Sequence, residues 1–85
     1  MNTGSTTEIG VGLIGCGSMG SELARAVQRG DAGAAKIVGV FDKYVPGRRA
    51  LAKTLKSHPR EVDTVSDMLR LPDVDLVIEL SLIHI

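Results

Sequence analysis

The sequence predicts an α/β protein in which a doubly wound parallel sheet of about four strands alternates with helices, in the order β-α-β-α-β-α-β. Short apolar runs alternate with stretches of helical period along residues 8–79. A glycine-rich turn joins the first apolar run to the first helical stretch, and no internal repeat interrupts the alternation. This spacing is typical of βαβ units, in which parallel strands are joined through a crossover helix.

The first two elements are a glycine-rich strand and an amphipathic helix. The run EIGVGLI, residues 8–14, has the apolar character of a buried strand, and its internal glycines indicate close backbone approach. From Ser18 to about Arg29 the period of the apolar residues becomes helical. The predicted buried face of this helix consists of Met19, Leu23, Ala26, Val27 and Gly30.

The remaining elements are shorter. The run KIVGVFD predicts a second strand ending at Asp42, and Pro46 suits the first turn of a second helix. The predicted buried face of that helix consists of Arg48, Leu51, Ala52 and Leu55. A weak third strand is expected at residues 62–65, and Ser66 is the expected N-cap of a short third helix. The run VDLVIEL predicts a fourth strand, which we expect to lie beside the first.

Composition argues against several classes of protein. The chain has 85 residues, and its ten basic and ten acidic side chains cancel, which argues against binding to nucleic acid or a membrane surface. A single cysteine excludes an internal disulfide, and Cys, His, Asp and Glu show no metal-ligand clustering. No secretion signal is recognisable, and no apolar run reaches about 18 residues, so we expect a cytoplasmic protein.

Residues 15–20 read GCGSMG, a G-x-G-x-x-G pattern. The pattern follows an apolar strand and opens a helix, and Asp42 ends the next strand 22 positions beyond the last glycine. This layout is typical of a Rossmann-type dinucleotide site. Gly15 would permit the turn out of the strand, Gly17 the approach of the cofactor pyrophosphate, and Gly20 close packing of the helix. The alternative is a glycine-rich turn in an α/β protein that binds no nucleotide.

Asp42 also bears on the choice of dinucleotide. Its carboxylate would accept hydrogen bonds from ribose hydroxyls and repel a 2′-phosphate, so NAD is the expected cofactor, with NADP possible. Lys43, Arg48 and Arg49 could meet a 2′-phosphate or could simply form a solvated loop and helix face. Cys16, a spacer of the motif, is expected to face the cofactor. The predicted cofactor-binding residues are Gly15, Cys16, Gly17, Ser18, Met19, Gly20, Asp42 and Lys43.

The pieces VGLIGCGSMGSELARAV, VGVFDK, VSDML and VDLVIE resemble the N-terminal half of an L-aspartate dehydrogenase. The resemblance implies NAD(P)-dependent oxidation of L-aspartate to iminoaspartate in NAD biosynthesis, by a homo-oligomer acting on a small molecule. It places the catalytic histidine and the substrate-binding residues in a later α+β domain, so the chain alone is expected to be inactive. Homoserine dehydrogenases, dihydrodipicolinate reductases and glucose-fructose oxidoreductase-like enzymes share much of this outline. A non-catalytic NAD-sensing module is the alternative of another class.

The last six residues, LSLIHI, depart from the resemblance. Aspartate dehydrogenases usually have small residues here, which leave room for the cofactor, whereas four of these six residues are Leu or Ile. LSLIHI also resembles the translation of a transposon end sequence used as an adapter in sequencing libraries. We therefore expect residues 1–7 to be a disordered tail, 8–79 the N-terminal part of a dinucleotide-binding domain, and 80–85 a non-native tail.

Overall fold

The computed structural model describes residues 8–80, and the expectations for residues 1–7 and 81–85 lie outside the described residues. The elements, in chain order, are β1 Ile9–Ile14, α1 Ser18–Gln28, β2 Ala35–Phe41, α2 Val45–Thr54, β3 Arg60–Glu61, α3 Val65–Arg70 and β4 Leu76–Glu79. The strands form one parallel sheet in the order β3-β2-β1-β4. The predicted class, element order and position of β4 beside β1 are confirmed. No helix within the described residues is long and apolar enough to cross a membrane.

Helices α1 and α2 cover one face of the sheet. The main core cluster on this face consists of Val11, Leu13, Cys16, Ala24, Val27, Ile37, Val40, Leu51 and Leu55. The pairing of β1 with β2 skips Val38, so the strand contains a bulge. Because of this extra residue, Ile37 and Val40 both reach the cluster although they are three positions apart. The bulge therefore lets β2 supply two side chains to the helix-covered face.

Helix α3 packs against the opposite face through Met68, which is fully buried. A Cβ on Gly12 would lie 2.6 Å from the Met68 Sδ atom, and a Cβ on Gly39 would lie 2.8 Å from it. Carbon and sulfur atoms do not approach so closely, because non-bonded heavy atoms prefer about 3.5–4.0 Å. The thioether of Met68 therefore fits between the helix and the sheet because Gly12 and Gly39 have no side chains.

The predicted buried face of α1 was only partly right. Val27 is buried as expected, but Met19 is 69% exposed. The buried positions of the helix are Gly20, Ala24 and Val27. Because Gly20 has no Cβ, α1 packs closely against the preceding loop at this position, and the buried face of the helix includes Gly20 instead of Met19.

Two boundaries also differ from the predictions. The third strand lies at residues 60–61 rather than 62–65, and Val62 continues the ladder by donating its N–H to the Val40 carbonyl oxygen at 3.0 Å. The N-cap of α3 is Thr64, whose Oγ1 accepts a hydrogen bond from the Asp67 N–H at 3.0 Å. Thr64 precedes the helix in an extended conformation, as a cap requires, whereas Ser66 is already inside it.

The outer edge of β4 pairs with no other strand among residues 8–80. Leu76 at the start of this strand is 50% exposed, and Val77 and Ile78 are half-buried. An apolar strand edge of this kind tends to pair with a further strand, either from the same protein or from another molecule.

Candidate dinucleotide-binding site

The carboxyl ends of β1 and β2 lie side by side, because Ile14 pairs with Phe41 in the parallel register. The segments that leave these ends therefore meet at one edge of the sheet, where ligands bind in open α/β folds. The Gly15 N–H donates to the Phe41 carbonyl oxygen at 2.8 Å, which holds the two exits together. A cavity of about 290 Å³ opens there, at the lower end of the range for ligand pockets. Its lining residues are Ile14, Gly15, Gly17, Phe41, Asp42, Lys43 and Leu80.

Residues 15–17 form a loop, hereafter the glycine loop, between β1 and α1. Gly15 has φ +98°, a left-handed conformation that side chains rarely adopt, and it turns the chain sharply out of the strand. Gly17 is the N-cap of α1, and an added Cβ there would meet no atom within 4 Å. The first turn of α1 has neither a side-chain cap nor an acidic residue. Its N–H groups and the positive end of the helix dipole are therefore free to bind an anion.

Asp42 connects the glycine loop to the loop that follows β2. Its Oδ2 accepts a hydrogen bond from the Cys16 N–H at 2.6 Å, and its Oδ1 accepts one from the Tyr44 N–H at 2.9 Å. A carboxylate offers about four lone-pair sites, so two remain for further donors. The carboxylate is thus held by backbone groups at the cavity wall and can still accept hydrogen bonds from hydroxyl groups of a ligand.

Cys16 does not face the cavity, contrary to the sequence-based expectation. Its side chain is 7% exposed and belongs to the core under α1 and α2, with Sγ 3.7 Å from the Phe41 carbonyl oxygen. Burial, followed by the charge of Asp42, raises the pKa of the thiol to about 11. The thiol therefore stays protonated at neutral pH, and the position of Cys16 near a helix N-terminus does not make it a nucleophile.

Four of the eight predicted site residues line the cavity. Gly15, Gly17, Asp42 and Lys43 line it. Gly20 is buried beneath the glycine loop. Ser18 and Met19 are exposed on α1 and do not line the cavity.

Sequence reasoning missed three apolar residues of the cavity wall, Ile14, Phe41 and Leu80. Ile14 and Phe41 are the last residues of their strands, so their position at the carboxyl edge of the sheet could have indicated them. Leu80 follows β4, and its N–H donates to the Ile14 carbonyl oxygen at 2.8 Å. No group of three or more His, Cys, Asp or Glu side chains in the described part of the chain could hold a metal ion.

Residues 9–81 match the model of a known family, described as the Gfo/Idh/MocA oxidoreductase family, NAD-binding Rossmann fold. An L-aspartate dehydrogenase of Methanocella arvoryzae is 36% identical over 50 residues, which cover 59% of this chain and 18% of that protein.

Two solved structures share the fold. The myo-inositol dehydrogenase from Lactobacillus casei, in complex with NAD(H) and myo-inositol, has a TM-score of 0.77 at 24% identity over 88% of this chain and 22% of that chain. GenD2 from gentamicin A biosynthesis, in complex with NAD, has a TM-score of 0.72 at 22% identity over 95% of this chain and 23% of that chain. The chain spans about a fifth of the length of these relatives.

Proposed function

Because this chain belongs to the Gfo/Idh/MocA oxidoreductase family, whose model matches residues 9–81, we propose that residues 8–79 are the N-terminal part of the cofactor domain of an NAD-dependent dehydrogenase. In such an enzyme the bound NAD would accept a hydride from the substrate. The contribution of this chain is to bind and orient the dinucleotide. The relatives are about five times longer. The resemblance to aspartate dehydrogenases implies that the catalytic groups belong to a later domain.

The observation that carries the proposal is the combination of open space at Gly17 with the fixed carboxylate of Asp42. The absence of a Cβ at Gly17 lets a pyrophosphate approach the backbone beside the uncapped N-terminus of α1. Asp42 lines the same cavity and has lone pairs available for ribose hydroxyls. These residues therefore fit the phosphate and ribose groups of a dinucleotide.

We propose NAD rather than NADP as the preferred cofactor. A 2′-phosphate carries about two negative charges, and the negative charge of the Asp42 carboxylate would repel them. Titration of the complete protein with each dinucleotide tests this. Equal affinities for NAD and NADP would show that the carboxylate does not decide the choice.

L-aspartate is the proposed substrate, with oxidation to iminoaspartate in NAD biosynthesis. It is supported by the 36% identity to an L-aspartate dehydrogenase and by the matching motifs around Gly15 and Asp42. A polyol or sugar is the second candidate, because one structure with the same fold is a myo-inositol dehydrogenase.

The proposal includes a cytoplasmic homo-oligomer. Size-exclusion chromatography with light scattering would test the oligomeric state.

The decisive experiment measures NAD reduction by the complete protein with L-aspartate and, separately, with myo-inositol. Reduction with L-aspartate alone supports the first candidate, and reduction with myo-inositol alone supports the second. Asp42→Ala is expected to weaken NAD binding in either case, because it removes the hydrogen-bond acceptor for the ribose. Tight NAD binding without turnover on either compound would instead favour a non-catalytic NAD-sensing module.

Residues 80–85 are proposed to be a non-native tail. In support, the apolar Leu80 lines the cavity at a place where aspartate dehydrogenases usually have small residues. The coding DNA tests this proposal directly. Codons after Glu79 that differ from the adapter sequence would reject it.

A further inference from the structure

Two arginines at the start of α2 share a single carboxylate, that of Glu61 at the end of β3. The Arg48 Nε lies 3.1 Å from Glu61 Oε1, and the Arg49 Nε lies 3.6 Å from Glu61 Oε2. Arg48 is buried, as its place on the predicted buried face of α2 indicates, so it is neither the solvated residue nor the phosphate ligand that the sequence also left open. Each oxygen of this one carboxylate therefore holds one guanidinium group.

Arg48 is held by further contacts. Its Nη1 donates to the Val62 carbonyl oxygen at 2.8 Å and lies 3.4 Å from Asp63 Oδ1. Its side chain is 7% exposed, whereas that of Arg49 is 56% exposed. Loss of the Glu61 contact would therefore leave Arg48 in place, but it would free Arg49, whose ion-pair partner within residues 8–80 is Glu61.

The charged cluster of Arg48, Arg49, Glu61 and Asp63 adjoins the cofactor edge of the sheet. Glu61 pairs with Val40 of β2, two positions before Asp42. Burial and Asp42 have the largest effects on the Cys16 thiol, but its pKa is also lowered by the charge of Arg48 and raised by that of Glu61. Arg48 and Glu61 therefore lie close enough to Cys16 to affect its thiol, and the backbone N–H of Cys16 donates to Asp42 at the cavity wall.

We propose that Glu61 is a positioning residue for cofactor choice, because its carboxylate occupies Arg49, which would otherwise be available to the 2′-phosphate of NADP. This inference rests on the proposed function as a dinucleotide-binding domain. Arginine is well suited to binding phosphate, since its planar guanidinium donates paired hydrogen bonds. Among residues 8–80 the cavity lining includes Lys43 but neither arginine. Glu61 thus acts on selectivity without touching the cofactor itself.

The test compares the affinities of the complete protein and its variants for NADPH and NADH, by fluorescence titration at low salt. Glu61→Gln keeps the shape of the side chain but removes the charge that holds Arg49. We expect it to improve the affinity for NADPH relative to NADH by about fivefold, the upper range for an exposed charge pair. The added substitution Arg49→Gln is expected to abolish this gain.

Asp63→Asn is the matched control. It removes one negative charge from the same cluster, but Asp63 is 87% exposed and does not hold Arg49. We expect the affinity ratio in this variant to change by less than about twofold. An equal gain in Asp63→Asn and Glu61→Gln would show a general charge effect and would overturn the proposal.

Other outcomes are equally informative. A uniform loss of affinity for both cofactors in Glu61→Gln, with an unchanged ratio, would show a merely structural role and would also overturn the proposal. Arg49→Gln in the parent protein provides a check that does not require Glu61→Gln to fold. It is expected to leave NADPH affinity unchanged, and a clear loss would contradict the proposal. If the parent protein binds neither dinucleotide, the proposed function itself fails.

Discussion

Substitution of Gly20 by alanine tests whether α1 packs directly on the glycine loop. The new Cβ would overlap the carbonyl oxygen of Gly15 and would lie 2.9 Å from its carbonyl carbon. Both are backbone atoms, so no side-chain rotation relieves the overlap, and the helix must move. Overpacking of this kind costs about 3 kcal/mol at the upper end of its usual range, and the higher helix propensity of alanine offsets about 1 kcal/mol. We expect Gly20→Ala to lower the free energy of unfolding of the complete protein by about 2 kcal/mol.

Gly17→Ala is the matched control for this prediction. Its Cβ would meet no atom within 4 Å, and the backbone at φ −72° and ψ −164° is accessible to any residue. Alanine at this N-cap is expected to cost less than about 1 kcal/mol of stability. The same Cβ would stand where the pyrophosphate approaches, so the affinity for NAD is expected to fall at least about tenfold.

Denaturant unfolding followed by circular dichroism measures the first quantity, and NADH fluorescence titration measures the second. An unchanged unfolding free energy in Gly20→Ala would show that α1 is not in contact with the loop. Binding of NAD by Gly17→Ala as tightly as by the parent would show that the pyrophosphate does not approach Gly17.

Three further outcomes are expected. Burial raises the pKa of the Cys16 thiol to about 11. The rate of its alkylation by iodoacetamide is therefore expected to keep rising with pH beyond about pH 10, whereas the rate for an exposed thiol would level off above about pH 9. The folded-state pKa of Cys16 exceeds the ordinary value of 9.0, so the folded protein binds the thiol proton more tightly than the unfolded chain does. The stability that this proton contributes is intact below pH 9.0 and is lost as the pH rises towards about 11, and melting curves would detect the loss. Thr64→Ala is expected to lower the free energy of unfolding by about 1 kcal/mol, because it removes the N-cap of α3. Ser66→Ala is expected to leave the free energy of unfolding nearly unchanged, and equal losses in the two variants would contradict the assignment of Thr64 as the N-cap. Gly39→Ala places a Cβ 2.8 Å from Met68 Sδ and is expected to lower the free energy of unfolding by about 1–3 kcal/mol in denaturant titration. An unchanged free energy of unfolding would contradict this close packing.

The order of strands and helices could be predicted from the sequence because it depends on periodicity. Apolar runs of strand length and a helical repeat after Ser18 are local patterns, and the resulting order matches the structure. The short third strand was misplaced because two residues carry almost no periodic signal. Its position depends on pairing with β2, where Val62 bonds to Val40, and such pairing involves residues distant in the chain.

The candidate site was predicted in part for a similar reason. The motif spacing brought Gly15, Gly17 and Asp42 together correctly, because strand ends and helix starts are set by local sequence. The orientation of Cys16 was wrong, since a residue in a loop has no periodicity to show which way its side chain points. Its position in the core follows from packing between two helices and the sheet.

The class of fold, the glycine loop and the acidic residue that follows β2 can be predicted without the structure, because each is encoded in residue type at a fixed spacing. The tertiary structure decided which charges are available. Arg48 and Arg49 are adjacent cations in the sequence, and their residue type alone does not distinguish them from ligands of a phosphate. Glu61 is more than ten positions away and reaches both arginines because β3 lies next to β2. An ion pair depends on distance in space, so only the folded chain shows that these cations are already paired.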